Sequence, residues 1–571
     1  MPELLGKKVR GRFGYPSGVI ATNEDTARWM LTHVPQLGFF VGKSTTIEPR
    51  KGNPEDILAQ PTPDSLWNAV GYANPGLEAT VEGFRELRDS APRDVFLMPQ
   101  IGESNEERFA HALAEFDRAG DLADGYELNV SCPHADKGGI LIGSEPEALR
   151  GIVAASRRAT KKPLVVKLNA GVDRLEEIAR AAADAGADAL SVINTLGGPN
   201  PELSKGFGGL SGAAIFPVTL ETVRRLRKAV SLPMIAMGGI RGAGEIRQLE
   251  RIDDSLFYAI GTALGGLRSD QCQQYFRQLE QDLAAGTDEA TRMTLDRMLM
   301  EYRPFVVSAV EEYGEEVRLI RFRETLEAGI GQFVFLKLDP CHAKPFSLGG
   351  NRNGLELLIR KVGPMTAKSF ELKVNDVVRV RGPYGRKMSL PEDRLVIFVG
   401  AGVGTAPVHF AAQCHPGPKR FVIGTVTASE LAYVDALRGM GKVSIATDDG
   451  TAGRRGFVTE LLEEVLEQEK PENPCFFNCG PEIAMKAAET IERRYTSPEN
   501  IYHLVERMTG CAIGICGKCS IPSGERACVD GPAFTASRFT PNEYMRDKSG
   551  KKVTFSRGRP GVERPARIRT H

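Results

Sequence analysis

A chain of 571 residues is too long for one hydrophobic core and implies several domains. Its 73 basic and 73 acidic side chains cancel, which removes the usual reason to expect nucleic acid or an acidic membrane surface as a partner. No apolar run approaches the roughly 20 residues that span a bilayer, the N-terminus lacks a secretory apolar region, and ten cysteines are few for a disulfide scaffold, so a cytoplasmic protein acting on small molecules is expected.

Residues 1–292 alternate short β-branched runs with longer helical stretches. Eight runs read as strands: SGVIAT, GFFVGK, DVFLMPQ, YELNVS, PLVVKL, DALSVIN, PMIAMG and LFYAIG. Each is apolar on both faces, as parallel strands covered on both sides must be, and eight such units predict an N-terminal (β/α)8 TIM barrel within an α/β chain. Such barrels keep their chemistry at the C-terminal strand ends. Lys43, Asn129, Cys132, Lys167, Asn194 and Thr195 fall there, and glycine turns close the last two strands.

After a charged helical connector, residues 304–390 show short alternating strands with Gly turns, predicting a small antiparallel β-barrel. Residues 391–502 return to βα alternation and predict an α/β nucleotide-binding domain. GAGVGTAP (400–407), TDDG (447–450) and CGP (479–481) each end an apolar run there, where backbone amides can approach a phosphate or nicotinamide without a Cβ in the way. A cysteine segment (503–535) and a basic, Gly/Pro/Arg-rich tail (536–571) follow; the tail reads as a solvated end.

Cys511, Cys516, Cys519 and Cys528 are spaced C-x4-C-x2-C-x8-C. The opening has the plant-type [2Fe–2S] spacing; tetrahedral zinc is the alternative, and the asymmetric spacing beside a flavin site favours iron–sulfur.

The glycine-rich turns resemble the ferredoxin-reductase superfamily. That resemblance implies FAD on the small barrel, held by Lys344, Pro345, Phe346, Ser347, Ile359, Gly363 and Thr366, and NAD on the next domain, held by Gly400, Gly402, Gly404, Asp448, Cys479, Gly480 and Pro481. Lys344 stands where the superfamily has arginine, keeping the charge and losing the bidentate fork. With ERMTGCAIGICGKC and CVDGPAF, residues 304–535 are similar to the electron-transfer subunit of NAD-linked dihydroorotate dehydrogenases, and also to the small subunit of an NADH-dependent ferredoxin:NADP oxidoreductase.

The barrel loops GKSTTIEPRKGNP (42–54), NAVGYANPG (68–76) and LNVSCPH (128–134), with VVKLNAG, VINTLGG, GGLSG and MGGI, resemble the catalytic subunit of the same NAD-linked family. The chain thus looks like a fusion of two usually separate subunits. The resemblance implies FMN held by Lys43, Ser44, Asn129, Lys167, Ile193, Gly212, Gly238, Gly239, Gly261 and Thr262. Lys43 and Lys167 would set positive charge at the flavin's pyrimidine edge, and the glycines would hold its phosphate.

Substrate binding is expected from Lys43, Asn68, Val70, Gly71, Tyr72, Asn129, His134, Asn194 and Thr195. The side-chain amides match the carbonyls and N–H groups of a pyrimidinedione. Cys132 is the expected catalytic base for the C5 proton. His134 replaces the family's asparagine, as in dihydropyrimidine dehydrogenases, and Ala21-Thr22 only partly keeps a flavin-contact motif.

The implied reaction is oxidation of (S)-dihydroorotate to orotate in pyrimidine synthesis, with electrons passing FMN, [2Fe–2S], FAD and NAD. The alternatives are NAD(P)H-dependent reduction of uracil or thymine, and an NADH–ferredoxin electron-transfer module. NAD is preferred over NADP because GTVTASEL carries no arginine cluster for a 2′-phosphate. A homodimer is expected, with ferredoxin a further candidate partner.

Overall fold

The computed structural model describes residues 1–20, 24–130, 143–287, 298–339 and 342–539, with the short strands Met545–Arg546 and Lys552–Val553. Its contacts divide into two units, residues 1–300 with 510–529, and residues 301–509 with 530–571.

The first unit is built on a parallel barrel: β1 (Phe13–Tyr15), β2 (Leu37–Val41), β3 (Phe96–Met98 continued by Gln100–Ile101), β4 (Tyr126–Asn129), β5 (Leu164–Leu168), β6 (Ala189–Val192), β7 (Met234–Met237) and β8 (Phe257–Ala259). Pro99 divides β3, because proline cannot donate to a ladder. The first half of β3 pairs with β2 and the second with β4, so the nine pieces of the ladder form an eight-stranded ring.

The strand expected at SGVIAT lies earlier, at Phe13–Tyr15. Pro16 ends it, and Ile20, at φ +61°, donates its N–H to Ile515 O of the cysteine segment instead of to a barrel neighbour. The apolar character of Val19 and Ile20 reflects the barrel core instead, in which Ile20 is buried and against which Val19 packs.

Side chains alternate inward and outward along the strands. The outward set packs under the surrounding helices. The inward set (Phe39, Val41, Phe96, Met98, Val165, Ala189, Ile235, Phe257) fills the barrel's axis. The helices have local causes: Asn105 Oδ1 caps Glu106–Arg118 by accepting from Arg108 N, Pro146 opens Pro146–Ala159, and Gly286 ends Ser269–Ala285 in the left-handed conformation. Over the C-terminal strand ends, Leu58–Thr62, Ser65–Asn68, Leu196–Pro199 and Phe207–Gly212 form a four-stranded antiparallel sheet.

The second unit opens with six antiparallel strands: β9 (Arg303–Tyr313), β10 (Val317–Phe322), β11 (Phe333–Lys337), β12 (Lys344–Ser347), β13 (Glu356–Arg360) and β14 (Val377–Tyr384). Their order is β12-β11-β14-β9-β10-β13. A parallel sheet follows, with β15 (Val396–Ala401), β16 (Lys419–Thr425), β17 (Lys442–Thr447), β18 (Cys475–Cys479) and β19 (Ile501–Leu504) ordered β17-β16-β15-β18-β19. The strand order reverses between β15 and β18, the switch point where such sheets bind ligands. Among the described residues no helix is long and apolar enough to cross a membrane.

Candidate functional site

A cavity of about 1490 Å³, including its open mouth, lies at the C-terminal ends of the barrel strands. Of the expected substrate and FMN residues, Lys43, Ser44, Asn68, Val70, Gly71, Tyr72, Asn129, Lys167, Ile193, Asn194, Thr195, Gly212, Gly238, Gly239, Gly261 and Thr262 all line it. Cys132, His134, Ala21 and Thr22 lie outside the described residues.

At one end of the cavity the backbone forms a glycine cradle. Gly239 has φ +79°, and a Cβ there would come 2.7 Å from Phe216 Cβ and 2.9 Å from Gly212 O. Only glycine fits, and the turn from Ala213 to Ile215 opens directly into the helix Phe216–Ala229. Bare amides beside a helix start suit a phosphate. Arg241 also lines this cavity, bonded to Asp64 at 3.0 Å; sequence reasoning did not single it out.

The cavity floor is polar and buried. Asn129 Nδ2 donates to Gln100 Oε1 at 3.1 Å and to Ser44 Oγ at 3.3 Å, and Ser44 Oγ donates to Gln100 Oε1. Asn129 Oδ1 is buried with no hydrogen-bond partner among the described residues, an acceptor suited to a ligand N–H. Gln100, which closes the apolar run DVFLMPQ, was not among the expected residues. Asn74, also missed, shapes the 68–76 loop: its Oδ1 accepts from Thr46 N and Gly76 N, and its Nδ2 donates to Tyr72 O and Thr46 Oγ1. Tyr72 is held at φ +57° beside Gly71 at φ +70°.

Residues 510–529 pack on this mouth. Ile515 and Cys516 line the cavity, as does Lys518. Gly266 N donates to Ile513 O at 2.7 Å, Thr26 and Ser520 hydroxyls are bonded, and Gly524 leaves no room for a Cβ, which would meet Trp29 Cβ at 2.4 Å.

The four expected metal ligands, Cys511, Cys516, Cys519 and Cys528, are all buried and free of disulfides. They meet in one hydrogen-bonded knot: Cys511 interacts with Cys516 and Cys528, and Cys528 with Cys519. Donation from Cys516 and Cys528 holds the Cys511 thiol well below its ordinary pKa, and the same bonds push those two donors up. Among the described residues no three His, Cys, Asp or Glu side chains surround a single-ion position. Four converging thiols on one glycine-rich loop nonetheless fit a cluster with all-cysteine ligation.

In the second unit, exposed Lys344 lies on β12 with Pro345, Phe346 and Ser347 half-buried beside it, and Ile359 is buried on β13. β12 and β13 come into contact although they end the six-strand order. Gly363 and Thr366 begin the helix Pro364–Ser369, where Thr366 Oγ1 accepts from Val362 N and Gly363 N. Arg360, overlooked in the sequence, bonds Glu430 at 2.6 Å and places Nη2 3.7 Å from where a Cβ on Gly402 would lie.

Gly400 pairs with Cys479 across β15 and β18. A Cβ on Gly404 would lie 2.3 Å from Cys479 O, so the two turns meet only because one residue is glycine. Gly402, Gly480 and Pro481 flank this junction, while Asp448 follows β17, two strands from β15. Burial pushes the Cys479 thiol up to about 12, which keeps it neutral.

Comparison with known proteins joins these features. Residues 2–283 match the dihydroorotate dehydrogenase model, residues 304–388 the oxidoreductase FAD-binding domain, and residues 506–540 the iron-sulfur cluster binding domain of dihydroorotate dehydrogenase B.

The catalytic subunit of dihydroorotate dehydrogenase B (NAD(+)) from Pelobacter propionicus is 38% identical over 248 residues, 42% of this chain and 80% of its own length. That of Geobacter sp. strain M21 is 34% identical over 288 residues, 49% of this chain and 92% of its own. The probable electron transfer subunit of Methanocaldococcus jannaschii is 36% identical over 233 residues, 39% of this chain and 88% of its own.

A solved chain of the NADH-dependent reduced ferredoxin-NADP oxidoreductase matches at 25% identity with a TM-score of 0.38, over 41% of this chain and 88% of that one. With flavin, nucleotide and cysteine motifs on one polypeptide and relatives of both subunit types matched at 34–38% identity, the chain belongs to the dihydroorotate dehydrogenase B family.

Proposed function

We propose that this chain oxidises (S)-dihydroorotate to orotate and passes the electrons to NAD within one polypeptide, through FMN, a [2Fe–2S] cluster and FAD. The observation that carries the reading is the seating of the cysteine segment on the barrel mouth, with Cys516 lining the cavity assigned to FMN. FMN supplies a hydride acceptor that can release electrons singly to the cluster.

The chain's own residues do the rest. Asn68, Asn129, Asn194 and Thr195 hold the pyrimidine ring, and the amides of Val70, Gly71 and Tyr72 hold its carboxylate. Lys43 and Lys167 favour negative charge on the flavin's pyrimidine edge. Cys132 removes the C5 proton from the face opposite the hydride's departure. Lys344 and Ser347 contact FAD, and the Gly400–Gly404 turn with Cys479–Pro481 receives NAD. Reduction of an uncarboxylated pyrimidine is not favoured, since the matched relatives are dihydroorotate enzymes. We further place the enzyme in the cytoplasm as a homodimer, with ferredoxin a secondary acceptor.

Steady-state assays test the substrate. Turnover of dihydroorotate with NAD is expected, and little with uracil plus NADH or NADPH; turnover of uracil alone contradicts the reading. Size-exclusion chromatography with light scattering tests the dimer, a single-chain mass contradicting it.

A further inference from the structure

Beneath the flavin cavity lies an ionic pair that no motif marks. Toward the barrel's N-terminal end the inward side chains are apolar, including Phe96, Val165 and Ile235. On β4 both inward positions are polar. Asn129 lines the cavity, whereas Glu127, two residues earlier, is fully buried at the register of Val165 and Gln100 and does not line it.

The Glu127 carboxylate is surrounded by donors from three strands. Ser191 Oγ on β6 donates to Oε1, Gln100 Nε2 on β3 donates to Oε2, and Lys167 Nζ on β5 stands 3.7 Å from Oε2. Gln100 is locked in this orientation because its Oε1 accepts from Ser44 and Asn129. Turned over, its amide would set oxygen against the carboxylate and NH2 against the Asn129 NH2. A buried carboxylate facing donors on both oxygens is complementary to the ionised acid, and breaking such a pair is far costlier than keeping it.

We propose that Glu127 is a positioning residue for the barrel flavin. It holds the Lys167 ammonium at the cavity floor and offsets that charge, and so sets how strongly the site favours negative charge on the flavin's pyrimidine edge. The proposal rests on the FMN reading of this cavity. Opposite charges a few ångströms apart in a poorly screened interior largely cancel at a distance, so each partner's removal leaves the other's field. The two removals therefore act with opposite sign on the same flavin.

The test is a spectroelectrochemical titration of the full-length holoenzyme, with FMN resolved from FAD and the cluster. Glu127→Gln is expected to raise the reduced-to-oxidised FMN ratio at a fixed potential by at least about tenfold. Lys167→Met is expected to lower it, and the double variant to return toward the parent, with FAD and cluster signals unmoved. Should Glu127→Gln fail to fold, Ser191→Ala removes one carboxylate donor while keeping both charges, leaves Glu127 to act more strongly on Lys167, and is expected to lower the ratio modestly. Unchanged ratios, or shifts of the same sign from both single charge removals, overturn the proposal. A parent enzyme that carries FAD but no FMN would instead overturn the flavin assignment on which it depends.

Discussion

Individual positions carry the sharpest constraints. Gly239 is pinned by its positive φ and by Phe216 and Gly212 around its missing Cβ. Gly239→Ala is expected to cost about 1–3 kcal/mol of local strain and to strip FMN, read as a fall in FMN per chain while FAD content stays at parental level. Cys132→Ser is expected to lower kcat for dihydroorotate by about 10²–10⁴ with FMN content unchanged, the range for losing a positioned general base; parental kcat would remove Cys132 from the proton path.

Much of this was readable in the sequence, because polar residues that end apolar runs must lie at strand ends. Lys43, Asn129, Lys167 and Asn194 all reached the cavity on that argument. Glu127 escaped it, sitting inside a strand whose apolar neighbours dominate the pattern, whereas Gln100 closes the run DVFLMPQ and satisfies the same rule. Counting back two from Asn129 along an alternating strand reaches Glu127, so the signal was present in the period.

Among the elements, the cysteine loop shows what sequence spacing does not encode. The spacing marks a cluster, but the partner surface is fixed by contacts hundreds of residues away. Arg526, fully buried, donates to Gly514 O at 2.7 Å and Leu267 O at 3.0 Å, and approaches Ser269 Oγ at 3.5 Å. It therefore ties the loop to itself and to the barrel at once. Arg526→Met, close in volume, is expected to leave dihydroorotate able to bleach the barrel flavin while slowing NAD reduction at least about tenfold, since charged hydrogen bonds contribute ~1.5–3 kcal/mol each. Stopped-flow absorbance separates the two steps, and equal rates for both in variant and parent would contradict the tie.

The misplaced first strand has a packing origin: Ile20 is buried in the barrel core and Val19 packs against it outside any strand, and a short three-residue strand carries too little pattern to outweigh them.

The helix Glu482–Glu492 gives a second element-scale expectation. Burial pushes the Glu492 carboxyl up to about 8, with Asn478 opposing from 2.9 Å. Its folded pKa lies above the ordinary 4.5, so the folded unit keeps a proton that the unfolded chain releases. This group's contribution is fully present below about pH 4.5, declines as pH rises toward about 8 by ~1.4 kcal/mol per unit at most, and levels off above it. Glu492→Gln is expected to flatten the pH dependence of hydrogen exchange in this helix between pH 5 and 8; an unaltered slope would contradict it.

At the scale of the whole molecule, the sequence divides the chain into modules by composition, whereas contacts assign residues 510–529 to the barrel and return Ala533–Thr535 to the nucleotide-binding sheet beside β19. The cluster loop thus leaves one unit, seats on the other and comes back. On the proposed reading, the electron donor site and the first one-electron acceptor therefore share one unit.

On the proposed reading, dihydroorotate electrons cross from the barrel flavin into the cysteine cluster. The direct measurement is an anaerobic titration of the purified chain with dihydroorotate, followed by visible and electron paramagnetic resonance spectra. Flavin and cluster bands are expected to bleach together, with NADH appearing when NAD is added; a flavin that bleaches while the cluster stays oxidised at every ratio of substrate to enzyme would contradict this path.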